Sequence, residues 1–352
     1  MHIRKRKFII TFITVIVFLL LIMPFVLSAM IYEDNFGDRY ETYAPMARSI
    51  DEFYGLNYQR HTFTSNQGQV LVGYKYFRNL ENSKGVVVIS HGLGGGGHNS
   101  YMDVADYFAS NGYMVFAYDA TGNDESEGRS VKGIPQGLID LDFALQYVKQ
   151  ASDFEGLPIM LFGHSWGGYA VGSGLNLHPD VKAVVMVAGF NKSMDIIEEE
   201  GKKIAGDGIH FLLPYISFYE RMKLGKYATY NCIKGFENSE AGVMIIHSTD
   251  DEMISQENGF DVFYDHYKSN PRFCFMKYED RGHDYIYYSD RSREYKAEFN
   301  RKFDEYINSL DKEFTSEIKE SYLSDNLDKK ILFDLDEDLM KSIVKFYDNH
   351  IN

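Results

Sequence analysis

Continuous apolar runs constrain the fold of this chain more than any other feature. Residues 86–89, 159–162 and 184–187 read Val-Val-Val-Ile, Ile-Met-Leu-Phe and Val-Val-Met-Val. A strand with one solvent-facing side alternates apolar and polar residues, so these unbroken runs indicate strands that are buried on both faces. Such strands occur in parallel sheets that helices cover on both sides. We therefore expect a central, mostly parallel sheet.

Stretches with helical character separate the apolar runs along most of the chain. The predicted strands are residues 58–64, 70–77, 85–90, 113–118, 158–162, 183–187, 243–247 and 273–278. The predicted helices are residues 100–111, 134–150, 166–177, 256–268 and 290–309. Two leading hairpin strands followed by strand–helix alternation predict a doubly wound α/β domain over residues 56–310.

One interval between strands, residues 190–241, is about twice as long as the others, and an insertion of this kind usually forms a cap or lid. The chain after the last predicted helix, residues 311–352, is acidic. Its segment 339–347 has apolar residues at helical spacing. We therefore expect a cap insertion at 190–241 and a helical tail at 311–352 that packs on the main domain.

The N-terminus has the pattern of a membrane signal. Residues 1–7 contain four adjacent basic residues, and residues 8–30 are almost wholly apolar. About 20 apolar residues are enough for a helix to span a bilayer, and flanking basic residues stay on the cytoplasmic side. We therefore expect a single-pass anchor, a linker at 31–55, and a main domain on the extracytoplasmic side of the cell membrane.

A cleaved signal peptide is the alternative interpretation of this N-terminus. Leu27-Ser28-Ala29 could serve as its cleavage site, and the protein would then be secreted. The apolar region of a signal peptide is usually about 7–15 residues long. Because the run here is longer, the sequence favours a retained anchor.

The composition argues against several classes of partner. The net charge is −15, and an acidic chain of this kind repels the phosphates of nucleic acids. The chain has two cysteines, and no histidine pair or cysteine cluster has the spacing of a zinc site. We therefore expect no nucleic-acid partner, no metal and no cofactor.

The segment Gly163-His164-Ser165-Trp166-Gly167-Gly168 lies between a predicted buried strand and a predicted helix. A strand, a sharp turn and a helix are the context of a nucleophile elbow. Gly163 and Gly167 have no Cβ atom, so strand and helix can approach each other closely around the serine. Ser165 is therefore the candidate nucleophile.

Two further residues could complete a catalytic triad with this serine. A serine nucleophile needs a histidine as its base and a carboxylate that holds the histidine. Asp251 and His283 follow the last two predicted strands, and the carboxyl ends of parallel strands meet at one edge of a sheet. The sequence therefore predicts a triad of Ser165, His283 and Asp251, with Asp250 as the alternative acid.

A glycine-rich loop follows the predicted strand at 85–90 and reads His91-Gly92-Leu93-Gly94-Gly95-Gly96-Gly97. Gly92 and Gly94 would give this loop the freedom to aim N–H groups at a developing oxyanion. The backbone amides of Leu93 and Trp166 are the expected donors. A phosphate-binding loop would continue with Gly-Lys-Ser or Gly-Lys-Thr, whereas His98 follows here.

Four residues are candidates for contact with a substrate. His98 could line the pocket, although a solvated loop histidine is the simpler interpretation. Phe211, Tyr215 and Phe218 in the cap could roof an apolar pocket. The alternative is that these aromatic side chains form the core of the cap itself.

Together these motifs resemble the α/β-hydrolase superfamily, in particular its serine-aminopeptidase-like and monoacylglycerol-lipase-like members with a short cap. The resemblance covers residues 56–310 and is carried by His-Gly-x-Gly at 91, Gly-x-Ser-x-Gly at 163, Asp251 and His283. A loop at 118–128 is similar to a structural loop of the superfamily but has one extra residue.

The resemblance implies a serine hydrolase that cleaves a small-molecule or lipid-like carboxylic ester through an acyl-enzyme. Two alternatives remain open at this point. One is an aminopeptidase-type serine peptidase that uses the same triad. The other is a catalytically inactive binding protein at the membrane.

Overall fold

The computed structural model describes residues 2–80, 83–311 and 313–351 and has an eight-stranded sheet at its centre. The strands are β1 (Asn57–Thr64), β2 (Val70–Phe77), β3 (Val86–Ser90), β4 (Met114–Tyr118), β5 (Ile159–His164), β6 (Ala183–Val187), β7 (Gly242–Ser248) and β8 (Phe273–Tyr278). Their order in the sheet is β1-β2-β4-β3-β5-β6-β7-β8. The hairpin β1–β2 and the pair β2–β4 are antiparallel, and every later pair is parallel.

Helices fill the intervals between the strands. They are α1 (His2–Val17), α2 (Met23–Phe36), α3 (Met102–Ser110), α4 (Ile134–Gln150), α5 (Trp166–Gly174), α6 (Ser193–Ala205), α7 (Ile209–Leu224), α8 (Cys232–Glu237), α9 (Val262–Tyr267), α10 (Asp290–Asn308), α11 (Ser316–Asn326), α12 (Lys329–Leu332) and α13 (Glu337–Asp348). The mostly parallel, doubly wound α/β fold expected from the sequence is confirmed.

The inner strands of the sheet are buried on both faces, as their unbroken apolar runs require. Every residue of β3 to β7 is buried. Helices α4, α5 and α8 pack on one face, and α3 and α13 pack on the other. In the tail, Tyr347 of α13 donates a hydrogen bond from its hydroxyl to the Leu161 carbonyl at 2.7 Å. The tail therefore completes the core of the domain.

The segment between β6 and β7 divides into two parts. Helix α8 lies in the core through Cys232 and Phe236, both of which are buried. Helices α6 and α7 lie outside this core layer and pack against each other through Ile197 and Ile209. The cap is therefore formed by α6 and α7, whereas the end of the 190–241 insertion belongs to the sheet domain.

A single helical rod runs from Arg4 to Phe36, with a π-helical turn at Phe18–Ile22 between α1 and α2. This helix is long and apolar enough to cross a membrane, although a signal sequence can have the same length and composition. Its C-terminal part packs against α7, with Pro24, Ser28 and Tyr32 buried. Their spacing of four residues places them on one side of the helix.

Residues 31–55, which were expected to form a linker, are packed against the sheet domain. Arg48 is buried, and its guanidinium bonds both carboxylate oxygens of Asp103 at 2.6 and 2.7 Å. Its Nε atom also donates to Glu52 at 3.0 Å. Phe53 is buried as well and joins the core under α3. A free linker would leave these groups in water, so this segment is part of the domain.

Candidate active site

Ser165 occupies the sharp turn between β5 and α5. Its backbone has φ +55° and ψ −116°, a combination that costs a side-chain-bearing residue about 1–3 kcal/mol. The flanking glycines allow the close approach that this turn needs. A Cβ atom on Gly163 would lie 2.2 Å from the Gly167 carbonyl oxygen, and one on Gly167 would lie 1.9 Å from the Ser90 carbonyl oxygen. The local sequence therefore forces the serine out of the strand and onto the helix N-terminus.

The structure brings Ser165, His283 and Asp251 together at the carboxyl edge of the sheet. The Nε2 atom of His283 lies 2.8 Å from the Ser165 Oγ atom. The Nδ1 atom of His283 lies 2.9 Å from each carboxylate oxygen of Asp251. Asp251 also accepts backbone N–H bonds from Met253 and Ile254, at 2.9 and 2.8 Å, which hold its carboxylate in place.

The protonation state of Asp251 decides the tautomer of His283. Burial opposes ionisation of Asp251, but the hydrogen bond and the charge of His283 outweigh burial and lower the pKa of the carboxyl. An ionised carboxylate only accepts hydrogen bonds, so Nδ1 of His283 carries the proton. The Nε2 atom then has a free lone pair and accepts the hydroxyl proton of Ser165.

Asp250, the alternative acid, faces away from the imidazole. It is exposed, and its Oδ1 atom accepts backbone N–H bonds from Arg281 and Gly282 at 3.2 and 3.1 Å. These bonds fix the loop that carries His283. Of the two neighbouring carboxylates, Asp251 therefore contacts the imidazole and Asp250 braces its backbone.

A second hydrogen-bond network, which the sequence analysis missed, lies behind His283. The buried side chain of His164 joins the Tyr101 hydroxyl, 3.0 Å from its Nδ1 atom, to the His283 carbonyl oxygen, 3.0 Å from its Nε2 atom. A carbonyl only accepts, so Nε2 of His164 donates and Nδ1 accepts from Tyr101. The Tyr101 oxygen in turn accepts the Gly92 N–H at 2.9 Å.

His164 is neutral in this network. Burial first, and then the charge of His283, lower the pKa of His164 to about 4. All hydrogen bonds of the network are therefore donated in the same direction. The Gly92 amide donates to Tyr101, Tyr101 donates to His164, and His164 donates to the carbonyl of His283. His164 stands inside the elbow motif, but no sequence signal connects Tyr101 to it.

Of the two expected oxyanion donors, Trp166 directly follows Ser165 in the chain. Trp166 is the first residue of α5, so its amide has no partner within the helix. Its ring is fixed separately, because Nε1 donates to the Ile134 carbonyl at 2.6 Å. Leu93 lies in the glycine loop after β3, where Gly94 has φ +90°. The neighbouring Gly92 amide is bonded to Tyr101 and is not free to donate to an oxyanion, and donation by the Leu93 amide stays a prediction.

The four candidate substrate contacts are placed elsewhere. His98 is buried, with Nδ1 2.7 Å from the Asp119 carboxylate and its ring stacked on Tyr74, so it is neither solvated nor free to line a pocket. Phe211 and Phe218 are more than half exposed. Tyr215 hydrogen-bonds the Leu20 carbonyl in the N-terminal helix.

Contact of these aromatic residues with a substrate stays a prediction, but Phe211 and Phe218 do not lie on the buried side of α7. Helical geometry gives the reason, because the inward face of α7 is formed by other positions of the same helix. Ile209, Ile216, Glu220 and Leu224 are the buried residues of α7. A hydropathy pattern shows that a helix has apolar faces, but it does not show what each face meets.

One group of possible metal ligands occurs among the described residues. His164, His283 and Asp284 have ligand atoms within 4.8 Å of one another. Both ring nitrogens of each histidine already have a hydrogen-bond partner, as set out above. The hydrogen-bond network therefore accounts for the closeness of the two histidines.

Part of this chain matches a known protein family. The model of the family described as serine aminopeptidase S33 (Hydrolase_4) matches residues 81–224. The matched range contains the glycine loop and Ser165, and it ends before Asp251 and His283.

Curated relatives match a shorter segment. The chain is 33% identical over 94 residues to the monoglyceride lipase homolog of monkeypox virus, covering 26% of this chain and 33% of the relative. It is 31% identical over 96 residues to human monoglyceride lipase, covering 27% of this chain and 31% of the relative. Caffeoylshikimate esterase of Arabidopsis thaliana is 34% identical over 87 residues, which are 24% of this chain and 26% of that protein. The chain thus spans about a third or less of these curated relatives.

Solved structures extend the likeness to most of the fold. The esterase Pf2001 of Pyrococcus furiosus superposes with a TM-score of 0.53 at 16% identity, covering 77% of this chain and 98% of that one. Est1E of Butyrivibrio proteoclasticus gives 0.50 at 17% identity, covering 71% and 99%. Identities this low show the fold alone. Taken with the sheet order, they show that the chain has the α/β-hydrolase fold.

Proposed function

We propose that this protein is a serine hydrolase that cleaves carboxylic esters by an acyl-enzyme mechanism. The observation that carries the proposal is the hydrogen-bonded series Ser165–His283–Asp251, with distances of 2.8 and 2.9 Å, built on a strained serine at a helix N-terminus. Nucleophile, base and orienting acid then stand in the geometry that acyl transfer requires.

In the first half of the reaction, Nε2 of His283 takes the Ser165 hydroxyl proton while Oγ attacks the acyl carbonyl carbon. The Leu93 and Trp166 amides stabilise the resulting oxyanion. Asp251 stabilises the imidazolium that forms. His283 then gives its proton to the leaving alkoxide, the C–O ester bond breaks, and the alcohol departs from the acyl-enzyme.

In the second half, His283 takes a proton from a water molecule whose oxygen attacks the acyl carbon. A second oxyanion forms in the same place and collapses. The proton passes to Ser165 Oγ, the bond between Oγ and the acyl carbon breaks, and the carboxylic acid is released. The reaction as written uses no cofactor.

The names of the relatives favour an ester as the substrate, because one is a monoglyceride lipase, one is a homolog of that lipase and one is an esterase. A peptidase that releases N-terminal residues is the second candidate, because the matching family is described as a serine aminopeptidase. Turnover of p-nitrophenyl esters and of aminoacyl naphthylamides by the same preparation separates the two. Naphthylamide hydrolysis with a higher kcat/KM than ester hydrolysis would favour the peptidase.

A fluorophosphonate probe tests whether the protein is an enzyme at all. Such a probe reacts with an activated serine, so it should label the folded wild-type chain and leave Ser165→Ala unlabelled. Absence of labelling in the folded wild type would instead favour an inactive binding protein.

We also propose that the N-terminal helix is retained as an anchor, with the hydrolase domain on the extracytoplasmic side. Pro24 and Ser28 are buried, and the Phe25 ring lies 5.8 Å from the ring of Phe218. Cleavage after Ala29 would remove all three residues and expose the side of α7 that they cover. The secreted form is the alternative.

A further inference from the structure

Helix α7 has an apolar face that points away from the sheet domain. Phe211, Phe218 and Met222 are 56%, 58% and 62% exposed, and Pro214 is exposed as well. Positions 211, 214, 218 and 222 follow the helical repeat, so they lie along one side of α7. The nine residues 211–219 contain no charged side chain. We call these four side chains the α7 stripe.

The N-terminal helix lies directly beside the α7 stripe. Tyr215 contacts the Leu20 carbonyl, the Phe218 ring lies 5.8 Å from Phe25, and the Tyr219 hydroxyl donates to Glu33 at 2.6 Å. The contacts advance in the same direction along both helices. α7 therefore runs alongside residues 20–33, which include the second half of the apolar run.

The outer side of that run is exposed too. Leu20, Val26, Leu27 and Met30 each have more than two fifths of their surface exposed. They continue the α7 stripe into one larger apolar surface made by two helices. Soluble monomers rarely expose a continuous apolar patch of this kind without a partner for it.

A buried polar contact fixes the two helices to each other. Glu220 is buried in α7, and one of its carboxylate oxygens accepts the Tyr32 hydroxyl at 3.0 Å and the Ser193 hydroxyl at 2.6 Å. Separating α7 from the N-terminal helix would remove the Tyr32 donor from this buried carboxylate, which is costly. The position of the N-terminal helix therefore determines the position of α7 and of the start of α6.

We propose that Phe211, Pro214 and Phe218 of the α7 stripe lie in the hydrocarbon layer of the membrane, beside the N-terminal helix, so that this side of the cap is embedded in the membrane. The occupant of the surface is the acyl chains of the bilayer. Leu20 lies eleven residues before Ile31, the end of the apolar run, which is up to about 16 Å along a helix axis. The hydrocarbon core is about 30 Å thick. A residue that touches Leu20 therefore cannot remain in bulk water if this helix spans the bilayer.

Tryptophan fluorescence of the full-length chain in phosphatidylcholine vesicles tests the proposal. The chain has one tryptophan, Trp166, which is 2% exposed, so its emission can be subtracted. Phe218→Trp places a second indole on the α7 stripe with little change in shape or polarity. Tyr54→Trp is the matched control, because Tyr54 is 96% exposed and lies outside both helices.

The added emission of Phe218→Trp should be blue-shifted, and vesicles with brominated acyl chains should quench it roughly twofold or more, since bromines there reach only groups in the hydrocarbon layer. The emission of Tyr54→Trp should be neither shifted nor quenched. Equal behaviour of the two variants, with red-shifted unquenched emission, would overturn the proposal.

A second copy of the chain is the other possible occupant of this surface. It would give blue-shifted emission that brominated lipid leaves unchanged, together with a dimer in detergent, and that result would also overturn the proposal. Phe211→Trp, at a position that is 56% exposed, repeats the measurement if Phe218→Trp does not fold. The fluorescence measurement needs no turnover, so the same quenching is expected in a Ser165→Ala background. A failure of the membrane proposal can therefore be told apart from a failure of the proposed hydrolase activity.

Discussion

The Tyr101 hydroxyl donates a hydrogen bond to Nδ1 of His164 at 3.0 Å, and this bond connects the two loops on which the active site depends. On one side, the same Tyr101 oxygen accepts the Gly92 N–H of the glycine loop. On the other side, His164 donates to the backbone of His283. The spacing between the glycine loop and His283 therefore depends on Tyr101 and His164, which lie outside the proposed triad.

Tyr101→Phe tests this positioning role. The change removes the donor to His164 and the acceptor of the Gly92 N–H, and each buried group left unpaired costs about 1–3 kcal/mol. We expect kcat for a p-nitrophenyl ester to fall roughly tenfold to a hundredfold, with KM little changed. Tyr107→Phe on α3 is the control, since Tyr107 is only half-buried and lies outside this network. Equal kinetic losses in the two variants would show that Tyr101 has no special role.

Ser165→Ala should abolish ester hydrolysis while the fold is retained, because the change removes one oxygen atom. Circular dichroism and the melting temperature would report the fold, and initial rates would report activity. Ser173→Ala on the same helix should keep its activity, because Ser173 contacts Cys232 and not the triad. A serine that takes no part in the reaction could be replaced with little loss of activity. If Ser165→Ala kept more than about a few per cent of the wild-type activity, Ser165 would be excluded as the nucleophile.

Asp251→Asn should lower kcat by roughly 10⁴-fold, as in other triads where the acid is replaced by its amide. The amide can donate to Nδ1 of His283, which moves the ring proton to Nε2 and removes the lone pair that accepts from Ser165. Asp250→Asn should have a far smaller effect, because its amide oxygen can still accept the N–H bonds of Arg281 and Gly282. The opposite ranking of the two variants would assign the acid to Asp250.

The lowered pKa of His164 makes a prediction about stability and pH. The pKa of His164 is about 4 in the folded chain and near its ordinary 6.5 when unfolded. Between these values the unfolded state binds more protons, so the contribution of His164 to stability is fully present above pH 6.5 and falls as the pH drops towards 4. Urea unfolding of the wild type and of His164→Gln at several pH values measures the effect.

We expect the wild type to lose stability more steeply than His164→Gln across this range, by up to about 1.4 kcal/mol per pH unit, which is the slope for one proton. Because the charge of His283 acts on the pKa of His164, the difference between the two curves reports His164 together with this interaction. Parallel curves would mean that His164 does not stay neutral in the folded chain.

Retention of the N-terminal helix can be tested on cells that express the full-length chain. Edman sequencing or intact mass of the mature protein should show that residues before Met30 are present. Protease added to intact cells should digest the hydrolase domain and spare the basic residues 4–7. A mature N-terminus near Met30 would support the cleaved signal peptide, and a domain protected until lysis would reverse the proposed orientation.

Local sequence patterns determined most of the fold. The strands at 70–77, 183–187 and 273–278 and the helix at 134–150 form with the predicted bounds. The unbroken apolar runs in β3, β5 and β6 specify strands buried on both faces, whereas the longer apolar run at 8–30 forms a helix. The positions of Ser165, Asp251 and His283 could be predicted for a related reason, since each follows a strand of a parallel sheet and parallel strands end at one edge.

Only the tertiary structure decided which faces and side chains meet across long stretches of chain. Tyr101 and His164 are 63 positions apart, and Tyr32 and Glu220 are 188 positions apart. The tertiary structure also decided that segment 31–55 packs against the sheet domain and that one face of α7 points outward. Periodicity gives the faces of each helix, but burial and hydrogen bonding depend on the neighbour that covers each face. That neighbour is set by the packing free energy of the whole domain, because no single segment contains both sides of the contact.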